Sequence, residues 1–453
     1  MNPDLRTFIG QVSKEAPDDL LVVKDALDLR YEPTAYIDEL AKKGKHPVFI
    51  FESLKGAKFP VVTNVLGTRR RYALALGTTE DKIMAEWFLR SQRVIPPRAV
   101  KEAPVKDCIQ TGGEVDLGNL PVLTHFQDDG GPYITSGIVV ARDPDTGIRN
   151  ASFHRCQLKD RNTLGVSLHS RRHLWDYQRR AEDRGKNLEV AVVIGCHPLI
   201  LFGTGLWKGP IDVDEYEVAG RFLGEPLEVI PCETSDLDVP AQAEIILEGE
   251  ILANVREDEG PFGEFTGYSS HNSTRHVLKV KAITYRRGAL FQDIVAGFSQ
   301  EHNGMLGVPA EPRMLEVLRK VVPSVQDVSI PFSGACRFHC YVSMKKIAEG
   351  QPKTAIFSAF AEDTSLKLVV AVDEDIDVHR EEEVIWAMAT RMQADQGVFV
   401  VPNCMGAMLD PSAKEGLTAK MGVDATRPLT GWKATRCTIP EAARARVKDL
   451  IKG

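Results

Sequence analysis

Two carboxylates in one short turn are the first residues in this chain whose type and spacing could do chemistry. The segment Arg256-Glu-Asp-Glu-Gly-Pro-Phe-Gly-Glu-Phe-Thr-Gly-Tyr268 sets Glu259 and Glu264 on either side of Gly-Pro-Phe-Gly. Proline and glycine bar a helix there and favour a turn, so both side chains can fold back toward one pocket as an acid/base pair. A solvated acidic loop is the plain alternative, and this spacing alone does not separate the two.

Three more stretches carry residues that make chemical sense only if they converge. Asn150-Ala-Ser-Phe-His-Arg155 follows a turn at Asp143-Pro-Asp-Thr-Gly147. In an extended segment Asn150, Ser152 and His154 share one face and Arg155 takes the other, either toward a ligand or as the polar side of an edge strand. In Ser167-Leu-His169-Ser-Arg-Arg-His173, spacing of four puts His169 and His173 on one helical face if the helix has begun. Arg171, Arg172 and the helix start would then suit a phosphate, or would simply be solvated. Glu215 lies in the acidic first turn of a helix expected over about 214–222, where it could be no more than a complement to the helix dipole. Together Asn150, His173 and Glu215 would make a hard, oxygen-rich set with one imidazole, suited to Mn²⁺ or Mg²⁺.

The scaffold that must position these residues reads as α/β (α+β multidomain). Over 1–105, helical spacing at 4–12 and 33–42 alternates with β-rich runs at 47–51 and 60–63, and a further helix is expected over 79–89. Arg69-Arg70-Arg71 reads as a solvated helix entry, or as an anion contact. Prolines 96, 97 and 104 mark a linker, and 106–300 changes to short strands at 138–141, 190–194, 227–230, 243–247 and 277–283, as in a barrel or sandwich. One connecting helix is expected over 306–321 within 301–326, followed by an α/β region over 327–453 with a strand at 368–372 and a helix at 381–392.

Composition narrows the function classes. The chain has 453 residues, 43% apolar, with a net charge of −7, which argues against a nucleic-acid surface. No apolar run approaches a membrane span and the N-terminus lacks a signal sequence, so a cytoplasmic location is expected. Eight scattered cysteines point to reduced thiols, and Cys336 and Cys340 lack a second pair that would suggest zinc.

Tyr133-Ile-Thr, the Asn150–Arg155 hexapeptide, Glu259-Gly-Pro-Phe-Gly-Glu264-Phe-Thr-Gly-Tyr268 and Lys420-Met-Gly-Val-Asp-Ala-Thr426 resemble the UbiD family of reversible decarboxylases, from about Pro60 through Thr426. The resemblance implies prenylated FMN as cofactor, supplied by a flavin prenyltransferase, in a central split β-barrel between N- and C-terminal α/β domains. It implies that Asn150, His173 and Glu215 hold Mn²⁺ (or Mg²⁺) against the flavin phosphate. Ser152, Phe153, His154, Arg155, Ser167, Leu168, His169 and Arg172 would line the cofactor. A K⁺ site would use main-chain oxygens of Ala151, Thr204, Gly205 and Trp207 with the Glu215 carboxylate. Glu264 would be the general acid, with Glu259 its partner and Arg155 facing the substrate carboxylate or holding Glu259.

What is implied, then, is a small-molecule carboxylic acid substrate, CO₂ as co-product, and a homodimer or homohexamer built through the C-terminal domain. A subunit of a larger carboxylase assembly is the alternative within the family. An ordinary FMN oxidoreductase is the alternative outside it. Phe298, Met305, Leu306, Val308, Pro309 and Met421 suggest an apolar pocket wall for a flat aromatic, heteroaromatic or conjugated acid, with His302 as a contact to a heteroatom or a structural histidine.

Overall fold

A computed structural model describes residues 2–90, 94–168 and 172–451. The longest hairpin in the chain pairs strand Ile245–Glu259 with strand Ser273–Tyr285, and its final register pair is Glu259 with Ser273. The acidic segment is therefore the tip of that hairpin. β-branched and aliphatic residues dominate its base, where Ile245, Ile246, Leu247, Leu278 and Ile283 are buried, while charged residues crowd toward the tip.

This hairpin lies at the centre of a nine-stranded sheet. The order runs Tyr133–Ile134, Cys156–Asp160, Thr163–Val166, Ser273–Tyr285, Ile245–Glu259, Leu188–Ile194, Ile138–Arg142, Arg149–Phe153, with Cys108–Thr111 also on Ser273–Tyr285. The path is open, yet its ends cannot be far apart. Phe153 closes the last strand and Cys156 opens the second, and three Cα–Cα steps span at most about 11 Å. The sheet thus curls until its two ends lie side by side, a split barrel whose seam is crossed by His154 and Arg155. The sequence expectation of a strand-rich middle holds, and the seam puts Arg155 where it can meet the hairpin tip.

The N-terminal sheet, Leu20–Val23, Val48–Phe51 and Val61–Thr63, is completed by Phe291–Gln292 from far along the chain. The C-terminal sheet orders Val325–Ser329, His339–Met344, Leu368–Asp373, Leu417–Asp424 and Val398–Met405. Helices Ala310–Val321 and Gln351–Glu362 bury Met314, Leu318, Ile356 and Ala359 on it in one apolar cluster, and helix Glu381–Arg391 adds Val384 and Ala387 to another.

Two expectations are corrected. The single helix over 306–321 is two, Gln300–Gly307 and Ala310–Val321, because Pro309 has no N–H to continue the first. Arg71 is neither solvated nor placed for an anion. It is fully buried and donates to the carbonyls of His46 (2.7 Å), Asn64 (3.0 Å) and Val65 (2.9 Å), while Arg69 pairs with Glu311 at 2.6 Å. A guanidinium has enough donors to satisfy several carbonyls at once, which is what makes its burial tolerable.

The barrel meets the N-terminal region through aromatic packing. Phe202 stacks on Tyr72 (5.6 Å, 4°) and lies 5.2 Å from Trp87 and 5.8 Å from Phe222. Phe202→Ala should lower stability by about 3–5 kcal/mol in urea denaturation. A loss below about 1 kcal/mol would show that this cluster does not join the two regions.

Candidate active site

Arg155 is the hub of the site. Its Nε donates to Glu259 Oε1 at 2.9 Å and its Nη2 to Glu259 Oε2 at 3.0 Å, a two-point pair, and Nη1 donates to Glu264 Oε1. The guanidinium also lies 4.7 Å from the Phe262 ring centroid, so one cation is held by both glutamates and by the aromatic residue between them. Glu259 is 1% exposed and Glu264 8%. The acidic turn is therefore not a solvated loop. Burial raises the Glu264 pKa above the usual carboxylate value, Arg155 opposes the shift, and the Glu259 charge adds to it.

The tip is clamped by residues that sequence reasoning did not single out. Asp129 accepts from Gly263 N at 3.0 Å through one oxygen, and from His125 N (3.2 Å) and Phe126 N (2.9 Å) through the other. Gly130 N donates to Pro261 O at 2.8 Å, and the approach is so close that a Cβ on Gly130 would fall 2.1 Å from Gly260 O. Gln157 holds Gly130 O at 2.7 Å. Tyr133 accepts from Gly260 N at 3.1 Å and packs its ring 4.6 Å from Phe262. Beyond the turn, Asn303 donates to Phe265 O at 3.1 Å. The readable signal was Asp128-Asp-Gly-Gly131, a turn sequence whose partner lies more than 130 residues away.

A second group lies along the same seam. Asn150 Nδ2 donates to Glu215 Oε1 at 2.8 Å and is 3.5 Å from His173 Nδ1, which is 3.7 Å from Glu215 Oε1. Ala151 N donates to Glu215 Oε2 at 3.3 Å. Helix Glu215–Leu223 begins at an Asp214 cap that accepts from Tyr216 N, and this cap aims Glu215 inward, where it is 4% exposed. Glu215 is thus more than a complement to the helix dipole. Burial raises its pKa, because the charged form has little water to solvate it. A buried carboxylate, an amide and an imidazole within reach of one another are a donor set that fits a hard divalent cation. Among the described residues, no group of three or more His, Cys, Asp or Glu side chains forms such a set, since one of the three members here is an amide.

The expected cofactor-lining residues divide. Ser152 donates to Asn150 Oδ1 at 2.9 Å and is 3.0 Å from His154 Nε2, and His154 Nδ1 is 3.0 Å from Ser167 O, so the alternating face of the strand is realised. Phe153 lies against Gly205. Leu168 instead joins the apolar core, leaving its backbone for any contact. His169 and Arg171 lie outside the described residues. Helix His173–Glu182 starts only at His173, and Arg172 precedes it in an extended conformation. In the proposed pocket wall, Met305 and Val308 turn into the core, while Phe298 stays exposed against Phe332 and Met421 stays part-exposed on the C-terminal sheet. His302 Nδ1 is 3.1 Å from Gly297 O, and burial holds its pKa down to about 4, as for a neutral structural imidazole.

Comparison with known proteins now has a geometry to meet. Sequence models of the 3-octaprenyl-4-hydroxybenzoate carboxy-lyase N-terminal, Rift-related and C-terminal domains match residues 13–90, 98–299 and 304–425. This chain belongs to the UbiD family. It is an enzyme of the carboxy-lyase class. Anhydromevalonate phosphate decarboxylase of Methanothermobacter thermautotrophicus is 40% identical over 94% of this chain and 97% of its own length. The UbiD-class enzyme HmfF of Pelotomaculum thermopropionicum, solved with FMN, is 39% identical with a TM-score of 0.93, covering 99% of this chain and 100% of its own. An evolved dimeric form of HmfF, solved with prFMN, is 37% identical with a TM-score of 0.89, covering 98% and 99%. Among the described residues, no helix is long and apolar enough to cross a membrane.

Asp129→Ala would leave three backbone N–H groups at the clamp without their acceptor. The expected results are a stability loss of about 1–3 kcal/mol and faster hydrogen–deuterium exchange at the 260–268 tip. Unchanged exchange there would show that Asp129 does not hold the acidic turn.

Proposed function

We propose that this UbiD-family enzyme is a reversible, non-oxidative decarboxylase of an aromatic, heteroaromatic or α,β-unsaturated carboxylic acid, using prenylated FMN. The observation that carries the reading is the buried pairing of Arg155 with both Glu259 and Glu264, on the same seam as the Asn150–His173–Glu215 set. When bound, prenylated FMN supplies the electron sink that loss of CO₂ from an unsaturated carbon requires. Everything else asked of the site falls to this chain's own side chains.

Asn150, His173 and Glu215 would hold Mn²⁺ or Mg²⁺, with which the flavin phosphate would be paired. Glu215 is desolvated, and among the described residues the one basic side chain that contacts it is His173 at 3.7 Å, a deficit that a divalent ion would remove. Ala151 N already touches Glu215, and Gly205 packs on the strand that carries Ala151. This proximity supports a K⁺ site formed by Ala151, Thr204, Gly205, Trp207 and Glu215. Ser152, Phe153, His154, Ser167, Arg172 and the backbone of Leu168 would line the flavin.

Arg155 would orient the substrate carboxylate while holding Glu259 in place. Glu264, whose carboxyl is pushed toward its protonated form, would deliver the proton that replaces CO₂ and would take it back in the reverse direction. The name of the Methanothermobacter relative supports a phosphate-bearing acid as one member of the substrate range. A homo-oligomer is part of the proposal, supported by exposed Val400, Met405 and Leu417 on the C-terminal hairpin and by Leu450 and Ile451 on the last helix. A flavin prenyltransferase would supply the cofactor.

Glu264→Gln, loaded with prenylated FMN, should retain the cofactor but release no CO₂ and exchange no product proton with deuterated solvent. Normal turnover would refute the assignment. The sign of the pH dependence also follows. A raised Glu264 pKa keeps the acid protonated at higher pH, and activity falls as pH rises through it. Because the Glu259 charge helps to raise it, Glu259→Gln should move that fall toward lower pH. A descending limb that stays in place would contradict the coupling.

A further inference from the structure

The two strands of the hairpin that ends at the acidic tip carry Arg256, Arg275, Lys279 and Lys281, and three of these are committed elsewhere. Arg256 donates to both Glu182 oxygens at 2.8 and 2.9 Å, Lys279 donates to Thr163 Oγ1 at 2.7 Å, and Lys281 pairs with Glu250 at 2.7 Å. Arg275 is different. Its one ion-pair contact among the described residues is Glu259 Oε2, 4.0 Å from its Nε, and that Nε is buried with no hydrogen-bond partner. An N–H···O bond closes at about 3 Å, so this donor stops about 1 Å short of the carboxylate it faces.

The strand register accounts for the placement. Glu259 lies opposite Ser273, and Arg275 follows two residues later on the same face, which makes it the diagonal cross-strand neighbour of Glu259. Its direct partner, Glu257, is exposed. The Arg275 side chain is 36% exposed, whereas that of Glu259 is wholly buried. An arginine side chain turns about several bonds, so closing the gap needs no movement of the backbone.

Charge arithmetic says when it would close. Arg155 serves Glu259 through Nε and Nη2 and Glu264 through Nη1, so all three of its nitrogens are engaged. A substrate carboxylate at Arg155 competes with these contacts. With Glu264 protonated, two anions, Glu259 and the substrate, would then face one guanidinium where there is little water, and an unpaired buried charge is strongly unfavourable. A second cation at Glu259 removes the deficit and releases a nitrogen of Arg155 for the substrate.

We propose that Arg275 is a positioning residue that takes over Glu259 as the substrate carboxylate engages Arg155. The inference rests on the decarboxylase reading. In this role Arg275 touches neither substrate nor cofactor. It closes on Glu259 Oε2, the oxygen that Arg155 Nη2 holds at 3.0 Å, and Nη2 passes from the protein's carboxylate to that of the substrate. Arg155 keeps Glu259 Oε1 through its Nε and so stays in place.

The test uses enzyme loaded with prenylated FMN. Wild-type protein is first assayed for CO₂ release from cinnamic, furoic and pyrrole carboxylic acids and from the phosphate ester of hydroxypentenoic acid. The acid turned over fastest and its decarboxylated product are the two probes, and their binding is measured by calorimetry in a Glu264→Gln background, which stops turnover and mimics the protonated acid. Added Arg275→Gln should weaken binding of the acid about fivefold, the upper range for a partly exposed pair. It should leave the product unaffected, because the product brings no carboxylate, and flavin absorbance should show the cofactor retained. Arg275→Lys should restore part of the loss. With Glu259→Gln also present the second anion is gone, and Arg275→Gln should then weaken the acid by less than about twofold. Acid binding untouched by Arg275→Gln, an equal loss for acid and product, an undiminished loss in the Glu259→Gln background, or release of the flavin would each overturn the role. Release of no CO₂ from any of these acids would instead overturn the decarboxylase reading, and this inference with it.

Discussion

One buried guanidinium shared by two buried carboxylates is the interaction on which the rest of this structure depends. Arg155 carries one positive charge and Glu259 and Glu264 could carry two negative ones, with Arg275 reaching Glu259 only at 4.0 Å and from a more exposed position, so full ionisation leaves a poorly compensated charge in a place with little water. Such a charge costs several kcal/mol. A proton on one carboxyl removes that cost, and it falls to Glu264, which meets Arg155 through a single nitrogen while Glu259 takes the two-point pair. The imbalance is what makes the site a proton donor. Stability alone would have been served as well by one carboxylate.

Keeping that imbalance in place requires a rigid tip, and the fold provides it from several directions. The 245–285 hairpin delivers Glu259 at the end of its ladder, the seam residue Arg155 comes from the opposite edge of the curled sheet, and Asp129, Gly130 and Tyr133 pin the turn between them. The same strand carries Asn150, whose partners Glu215 and His173 sit at two helix starts, and Ser152, which donates to Asn150. Proton chemistry and the proposed cofactor anchorage are thus neighbours along one strand, Arg149–Phe153, and the two residues after it.

Much of this was legible in the sequence where chemistry and local pattern coincide. Glu259 and Glu264 could be singled out because Gly-Pro-Phe-Gly forces a turn between them, and Asn150, Ser152 and His154 because a strand alternates. Glu215 was readable as a helix start but not as buried, since an acidic first turn looks the same whether it faces water or an amide. Arg71 was misread because a basic triplet shows no sign of the three carbonyls waiting for one of its members. The clamp at Asp129 escaped notice because it depends on contacts between distant segments, and turn residues carry no periodicity that announces them. The break at Pro309 was visible in principle, since an internal proline is a common place for a helix to stop.

The most direct test is the protonation state of Glu264 itself. Infrared difference spectroscopy on enzyme labelled with ¹³C-glutamate, titrated from pH 3 to pH 9, would isolate the carboxyl C=O band lost in Glu264→Gln. The expected band persists above about pH 4.3, where an ordinary glutamate is half ionised, and disappears only at higher pH. A Glu264 band that vanishes at or below the ordinary value would contradict the account, because the buried pair would then hold no proton to give.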